Sequence, residues 1–312
     1  MTGKAMKTVK VAVVGVGHFG QHHARIYSAM EGVELVGVAD IDRGRARKIS
    51  QKCHTSGYSD HGPFLDRVDA ASICTPTDTH YEIAKDFLNA GCSILIEKPM
   101  TQTVEEADYL LQMARIKDKI LQVGYVERFN EAIQELGKII EQPKFIECHR
   151  FGPFDSRTAD VGVVLDLMIH DIDIILYLVK SEVEHIEAVG ASVLSDHEDI
   201  ANARLTFANG CIADLTASRA AKKKRRKIRM FQSGADISLD YLSQELSIYK
   251  EEGGRIVRWR PPITGGEPLK LELDAFINSV RTHTQPLVAG IQGRDALAIA
   301  LEISKQIKKG QQ

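Results

Sequence analysis

Val9-Lys10-Val11-Ala12-Val13-Val14-Gly15-Val16-Gly17-His18-Phe19-Gly20 runs an apolar strand pattern into a glycine-spaced turn, and a helical pattern over 18–30 follows at once. The three glycines have separate tasks: Gly15 permits a tight turn, Gly17 lets the main chain approach a pyrophosphate, and Gly20 lets the helix pack closely on the strand. The helix N-terminus, with His18 and Phe19 beside it, faces an anion. The next strand pattern, 33–40, ends on Asp40, 20 residues after Gly20, where a carboxylate can accept hydrogen bonds from ribose hydroxyls of a dinucleotide. That carboxylate repels a 2′-phosphate, which favours NAD over NADP, although Arg43 and Arg45 keep NADP open.

Outward from this motif, strand patterns at 70–74, 93–97 and 120–124 alternate with helical ones at 43–52, 79–90 and 104–116. Apolar strands alternating with helices predict a doubly wound parallel sheet, an α/β Rossmann domain over residues 1–124. Beyond Gly124 strands follow strands, at 144–151, 183–194, 201–207, 211–216, 228–232 and 238–241, with Ala208-Asn209-Gly210 as a hairpin signal. Helical patterns interrupt them at 161–179 and close the chain at 271–282 and 295–308. Residues 125–312 are therefore expected to form an α+β domain with a mostly antiparallel open sheet, for substrate binding and oligomerisation, its C-terminal helix packing back on the first domain. A length of 312 residues fits two such cores.

Composition narrows the function classes. A net charge of −2 gives no global attraction to nucleic acid or an anionic membrane. The basic run Lys222-Lys223-Lys224-Arg225-Arg226-Lys227 reads as a solvated loop, so no nucleic-acid partner is expected. Apolar runs such as 9–16 and 172–179 are too short to span a bilayer, and no signal-peptide pattern opens the sequence. Cys53, Cys74, Cys92, Cys148 and Cys211 lie far apart with no C-x-x-C pair, as expected of thiols in a reducing compartment. A cytoplasmic protein with no metal site is the expectation.

Two strand ends carry chemistry. Cys74-Thr75-Pro76-Thr77-Asp78-Thr79-His80 closes the third predicted strand, at the sheet edge where open α/β folds bind ligands; Thr75, Pro76 and His80 are candidate cofactor contacts. Glu97-Lys98-Pro99 ends the next strand and places Glu97 and Lys98 at the same edge, before a proline able to adopt the cis form. Desolvation beside a nicotinamide would make Lys98 a proton acceptor or a donor to a substrate hydroxyl, while these three residues alone equally allow a surface Lys98–Glu97 pair. On the helix predicted at 161–179, Asp166, His170 and Asp173 fall at i, i+4 and i+7 and share one face. An aspartate one turn from a histidine can fix its tautomer, which suits a base taking a hydroxyl proton. The combination predicts hydride transfer: His170 removes the proton, Asp166 orients it, and Lys98 binds the substrate oxygen. Lys98 and His170 can exchange the acid and base roles.

With Gly15 to Gly20, Asp40, Cys74-Thr75-Pro76, Glu97-Lys98-Pro99 and Asp166-x-x-x-His170 in order, the chain resembles the Gfo/Idh/MocA oxidoreductase family along nearly its whole length. The resemblance implies oxidation of sugar or cyclitol hydroxyls with Lys98, Asp166 and His170 catalytic, and an open sheet that mediates homodimers or homotetramers. Met168 stands where the family often has Gly. The stretches 123–130 and 160–173 look most like the nucleotide-sugar branch, whose UDP-N-acetylglucosamine 3-dehydrogenases make a 3-keto sugar. Arg128, Arg157 and Asp173 are then candidate substrate contacts, and Arg150 joins the two arginines as a candidate for a diphosphate. A free-sugar or inositol dehydrogenase and a non-catalytic dinucleotide-binding regulator remain alternatives.

Overall fold

Six parallel strands form the first sheet in the order β3-β2-β1-β4-β5-β6. They are β1 (Val9–Val14), β2 (Val33–Ala39), β3 (Ser56–Tyr58), β4 (Ala70–Ile73), β5 (Ser93–Glu97) and β6 (Leu121–Gly124), joined in part by α1 (Gly20–Ser28), α2 (Arg43–Lys52), α3 (Thr77–Asn89) and α4 (Val104–Ile116). This is a computed structural model, describing residues 7–155, 161–263 and 265–310. β4 and β6 are buried at every position, as a parallel sheet covered on both faces requires. The order reverses between β1 and β4, the switch point of a doubly wound sheet. Register aligns the strand ends: Val14 pairs with Ala39 and Ile73, Ile73 with Ile96, and Glu97 with Gly124. Gly15, Asp40, Cys74 and Lys98 therefore leave the sheet at one edge.

Gly15 is left-handed, with φ +81°, and a Cβ there would fall 2.7 Å from the Cys74 carbonyl carbon and the Thr75 nitrogen. A Cβ on Gly20 would fall 1.8 Å from the Gly15 oxygen. The turn is thus closed to side chains at both its ends, from β4 on one side and from its own main chain on the other. Elsewhere local signals set the helix starts: Asp42 caps α2 through the Arg45 N–H, and Thr103 with Glu106 forms a capping box at α4.

The first compact unit runs to Val126 and also contains Leu269–Arg294; the second holds Glu127–Pro268 and the chain from Asp295 onward. The stretch 125–312 is therefore not one continuous body. The reason is α7 (Pro268–Thr282), whose Leu273, Phe276 and Ile277 lie on one helical stripe and join Val11, Tyr27, Val38 and Leu95 in the first unit's core.

The second unit carries an open eight-stranded sheet in the order β14-β13-β12-β11-β7-β10-β9-β8. These strands are β7 (Pro143–Phe151), β8 (Val183–Ala191), β9 (Ile200–Phe207), β10 (Ile212–Ser218), β11 (Arg225–Gln232), β12 (Ala235–Asp240), β13 (Glu245–Glu252) and β14 (Arg255–Trp259). Among the described residues of this sheet, only β7 and β10 pair in parallel. The hairpin expected at Ala208-Asn209-Gly210 joins β9 to β10, with Gly210 at φ +81°. Helices α5 (Glu131–Ile139) and α6 (Ile169–Val179) belong to this unit, and α8 (Gly290–Gly310) ends the described chain.

Two expectations change, and one hairpin is new. The helix expected over 161–179 is a five-residue π turn, Val164–Met168, running into α6. The basic run is only partly a loop: Arg225, Arg226 and Lys227 lie in β11, where Arg226 meets Glu127 and Lys227 meets Asp240. The β13–β14 hairpin was not anticipated at all; Gly253 and Gly254, at φ +60° and +80°, make its turn. All five cysteines are free thiols, and no helix among the described residues is long and apolar enough to cross a membrane.

Gly20→Ala should destabilise the first unit by roughly 1–3 kcal/mol, the usual cost of overpacking, because the Gly15 carbonyl must move. Urea unfolding of the two proteins reads this directly, and unchanged midpoints would show that the turn can yield.

Candidate active site

Asp40, buried at the end of β2, holds the glycine turn as well as facing the sheet edge. Its Oδ2 accepts the Val16 N–H at 3.0 Å, its Oδ1 the Asp42 N–H at 2.9 Å, and Arg45 Nη1 stands 3.3 Å from Oδ2. Arg45 Nη1 also lies 3.5 Å from Oδ1, which fills the carboxylate's roughly four acceptor sites, so a ribose hydroxyl would take the place of the long contact from the exposed Arg45. Around it the surface is unusually apolar: Phe19 is 52% exposed and Ile41, directly after Asp40, is 95% exposed. His18 lies edge-on to Phe19 with ring centroids 5.3 Å apart. At Gly17 an added Cβ would meet nothing closer than Arg45 Nη1 at 3.8 Å, which leaves the main chain open to a phosphate. Open amides at a helix start, an acceptor at the second strand end and exposed apolar flanks fit a dinucleotide. Ile41 was missed from sequence, although an apolar residue immediately after the acidic strand end is a readable signal. Arg43 is exposed at the start of α2, while Arg45 holds the ion pair with Asp40.

The Thr75-Pro76 loop follows β4. Thr79 Oγ1 lies 2.8 Å from both Thr75 Oγ1 and the Pro76 oxygen, so α3's first turn is tied back to the loop. His80, expected to touch the cofactor, is instead 1% exposed, its ring nitrogens directed at the Thr75 and Pro99 carbonyls. Lys98 is half-buried at the end of β5, and the Lys98–Pro99 bond is cis.

Glu97 turns its carboxylate inward rather than toward solvent. His23 Nε2, fully buried on α1, lies 3.2 Å from Glu97 Oε1, an ion-pair distance without hydrogen-bond alignment. Gly124 opposite supplies the room, since a Cβ there would fall 2.8 Å from the Glu97 carboxyl carbon. Cys74 completes the group, with one ligand-type atom of each of His23, Cys74 and Glu97 within 4.8 Å of the others. Burial pushes the Cys74 thiol well above its ordinary value, and the Glu97 and Glu272 carboxylates push it further. The three side chains form a polar cluster where α1 meets the ends of β4 and β5.

In the second unit, Asp166 lies within the π turn and His170 is the second residue of α6; both are half-buried. The π turn widens the helix where Asp166 leaves it, a distortion that recurs at functional sites. Asp173, on the same helix, is buried and committed to Arg128: Arg128 Nη1 is 3.2 Å from Asp173 Oδ1, and the guanidinium lies 3.8 Å above the Tyr177 ring. With side-chain exposures of 4% and 2%, Arg128 and Asp173 serve each other rather than present a surface to substrate. Burial raises the Asp173 pKa to about 7 against the opposing pull of Arg128. Arg150 is consumed likewise, by two hydrogen bonds to Asp171 at 2.9 and 2.7 Å and one to Glu127, which Arg226 shares. Arg157 lies outside the described residues.

Comparison with known proteins gives a consistent answer for both units. The family described as Gfo/Idh/MocA, an oxidoreductase family with an NAD-binding Rossmann fold, matches residues 9–125, and its C-terminal domain matches 138–253. UDP-N-acetylglucosamine 3-dehydrogenase of Acidithiobacillus ferrooxidans is 35% identical over 95% of this chain and 96% of its own. A solved structure of that protein superposes with a TM-score of 0.93, covering 96% of this chain and 98% of that one at 34% identity. Myo-inositol 2-dehydrogenase of Thermotoga maritima is 26% identical over 96% of this chain and 97% of its own.

Two outcomes follow from the geometry. Asp40→Ala should weaken NAD about 10-fold or more, the worth of a charged hydrogen bond, and raise the relative affinity for NADP because Arg45 loses its carboxylate; calorimetric titration of both cofactors measures the ratio. Asp173 holds its proton to a higher pH folded than unfolded, so its contribution to stability is full below about pH 4 and fades as pH rises through about 7. The stability advantage of the parent over Asp173→Asn in urea should therefore be larger at about pH 5 than at about pH 8, and an equal advantage at both would mean that Asp173 is ionised throughout.

Proposed function

Because the chain belongs to the Gfo/Idh/MocA oxidoreductase family, we propose that it oxidises a hydroxyl of a nucleotide sugar, with UDP-N-acetylglucosamine at C3 the preferred substrate and NAD the cofactor. Likeness to the Acidithiobacillus enzyme through both units carries this reading, since substrate choice is written mainly in the second unit and the likeness does not stop at the first.

The residues divide the work. His170 takes the hydroxyl proton, and Asp166, one turn earlier, fixes the imidazole and stabilises its charge. Lys98 hydrogen-bonds the same substrate oxygen as the C–O single bond becomes a carbonyl. NAD, when bound, would supply the acceptor for the hydride of the sugar carbon. Gly15, Gly17, His18, Phe19, Gly20 and Asp40 hold that cofactor, with Thr75 and Pro76 along its edge. Arg157 is the remaining candidate for the diphosphate, since Arg128 and Arg150 are spent in buried ion pairs. The same proposal places the protein in the cytoplasm as a homodimer or homotetramer.

Purified protein with NAD should produce NADH from UDP-N-acetylglucosamine, with a ketone-consuming aminotransferase present to draw the reaction forward. His170→Ala should lower turnover by about 10²- to 10⁴-fold while NAD affinity stays nearly constant. Turnover of inositol or free glucose instead would favour the inositol dehydrogenases among the relatives, and NAD binding with no turnover would point to a regulator.

A further inference from the structure

His80 stands in the first turn of α3, and each of its ring nitrogens meets a main-chain carbonyl. Nδ1 is 2.9 Å from the Pro99 oxygen and Nε2 is 2.8 Å from the Thr75 oxygen. A core histidine could find partners anywhere; these two lie on separate strand-end loops. One loop follows β4 and carries Thr75 and Pro76, and the other follows β5 and carries Lys98. Carbonyls only accept, so both contacts ask the imidazole to donate. A neutral ring donates once, and burial keeps the His80 pKa below its ordinary value against the upward pull of the Thr75 and Pro99 carbonyls, Glu97 and the Met100 main chain. The clamp therefore holds one loop by a full hydrogen bond and the other by contact, and a proton completes it.

We propose that His80 is a positioning residue whose Nδ1 side sets Lys98 and whose Nε2 side sets the Thr75 loop. This rests on the proposed roles of Lys98 and Thr75 in NAD-dependent oxidation. The two sides are not equally braced, because Thr79 Oγ1 already ties Thr75 and Pro76 to α3. Loss of the Pro99 contact is therefore the more damaging change.

Two amide substitutions separate the sides. The nitrogen of Asn reaches about as far as histidine Nδ1, and that of Gln about as far as Nε2. His80→Asn keeps the Pro99 contact and gives up Thr75; His80→Gln does the reverse. Calorimetric NAD affinity and the labelling rate of Lys98 by trinitrobenzenesulfonate, read by peptide mass spectrometry, need no known sugar. His80→Gln should change Lys98 labelling by about fivefold or more, with NAD affinity within about twofold of the parent. His80→Asn should leave Lys98 labelling within about twofold and weaken NAD by about two- to fivefold. With a substrate in hand, His80→Gln lowers kcat and spares KM. Each variant that folds tests its own side. Equal movement of both readouts in both variants, or no movement in either, overturns the proposal. A parent protein that binds no NAD would overturn the functional reading instead.

Discussion

The carbonyl oxygen of Gly15 occupies the place where a side chain on Gly20 would begin. That contact fixes how α1 leaves β1, and much of the chemistry hangs from it. It brings the amides of the helix start to the sheet edge, where the partial charge of the helix favours a phosphate. It also fixes His23, three residues further along α1, from which the imidazole reaches Glu97. One crowded turn in the main chain thus sets both the anion site and the buried cluster around Glu97.

The parallel register then distributes the work. Each strand of the first sheet delivers its last residues to the same edge, so residues far apart in sequence need no long loops to meet. Asp40 ties the end of β2 to the glycine turn, His23 ties α1 to the end of β5, and His80 ties the ends of β4 and β5. The second unit supports its helix differently, with buried guanidinium–carboxylate pairs behind α6. Those pairs are costly to bury but directional, and removing one partner leaves a charge stranded.

Much of this was legible in the sequence, and the exceptions have physical causes. The glycine turn, Asp40, the Rossmann alternation and the antiparallel second sheet follow from periodicity and turn chemistry, which are local. Arg128, Arg150 and Asp173 read as substrate contacts because charge on an apolar background suggests function; the pairings that consume them join residues 21 to 45 positions apart and leave no periodic trace. His80 read as a cofactor contact for its place near a strand end, but its partners are main-chain carbonyls, which every residue has. The π turn at Val164–Met168 adds a residue to a helical ladder without changing the apolar pattern. The β13–β14 hairpin escaped because β14 is exposed along its length and shows no alternation, although Gly253-Gly254 marked its turn.

The place of α7 bears on how the protein is made. Leu273, Phe276 and Ile277 fill the core of a unit whose strands are all finished by Gly124, yet they are translated only after the whole of the other sheet. On the ribosome, the nucleotide-binding half must wait with that flank of its sheet uncovered while more than a hundred residues are added. Its final closure is thus a late event in synthesis, and the second sheet, continuous in sequence, has the opportunity to form first.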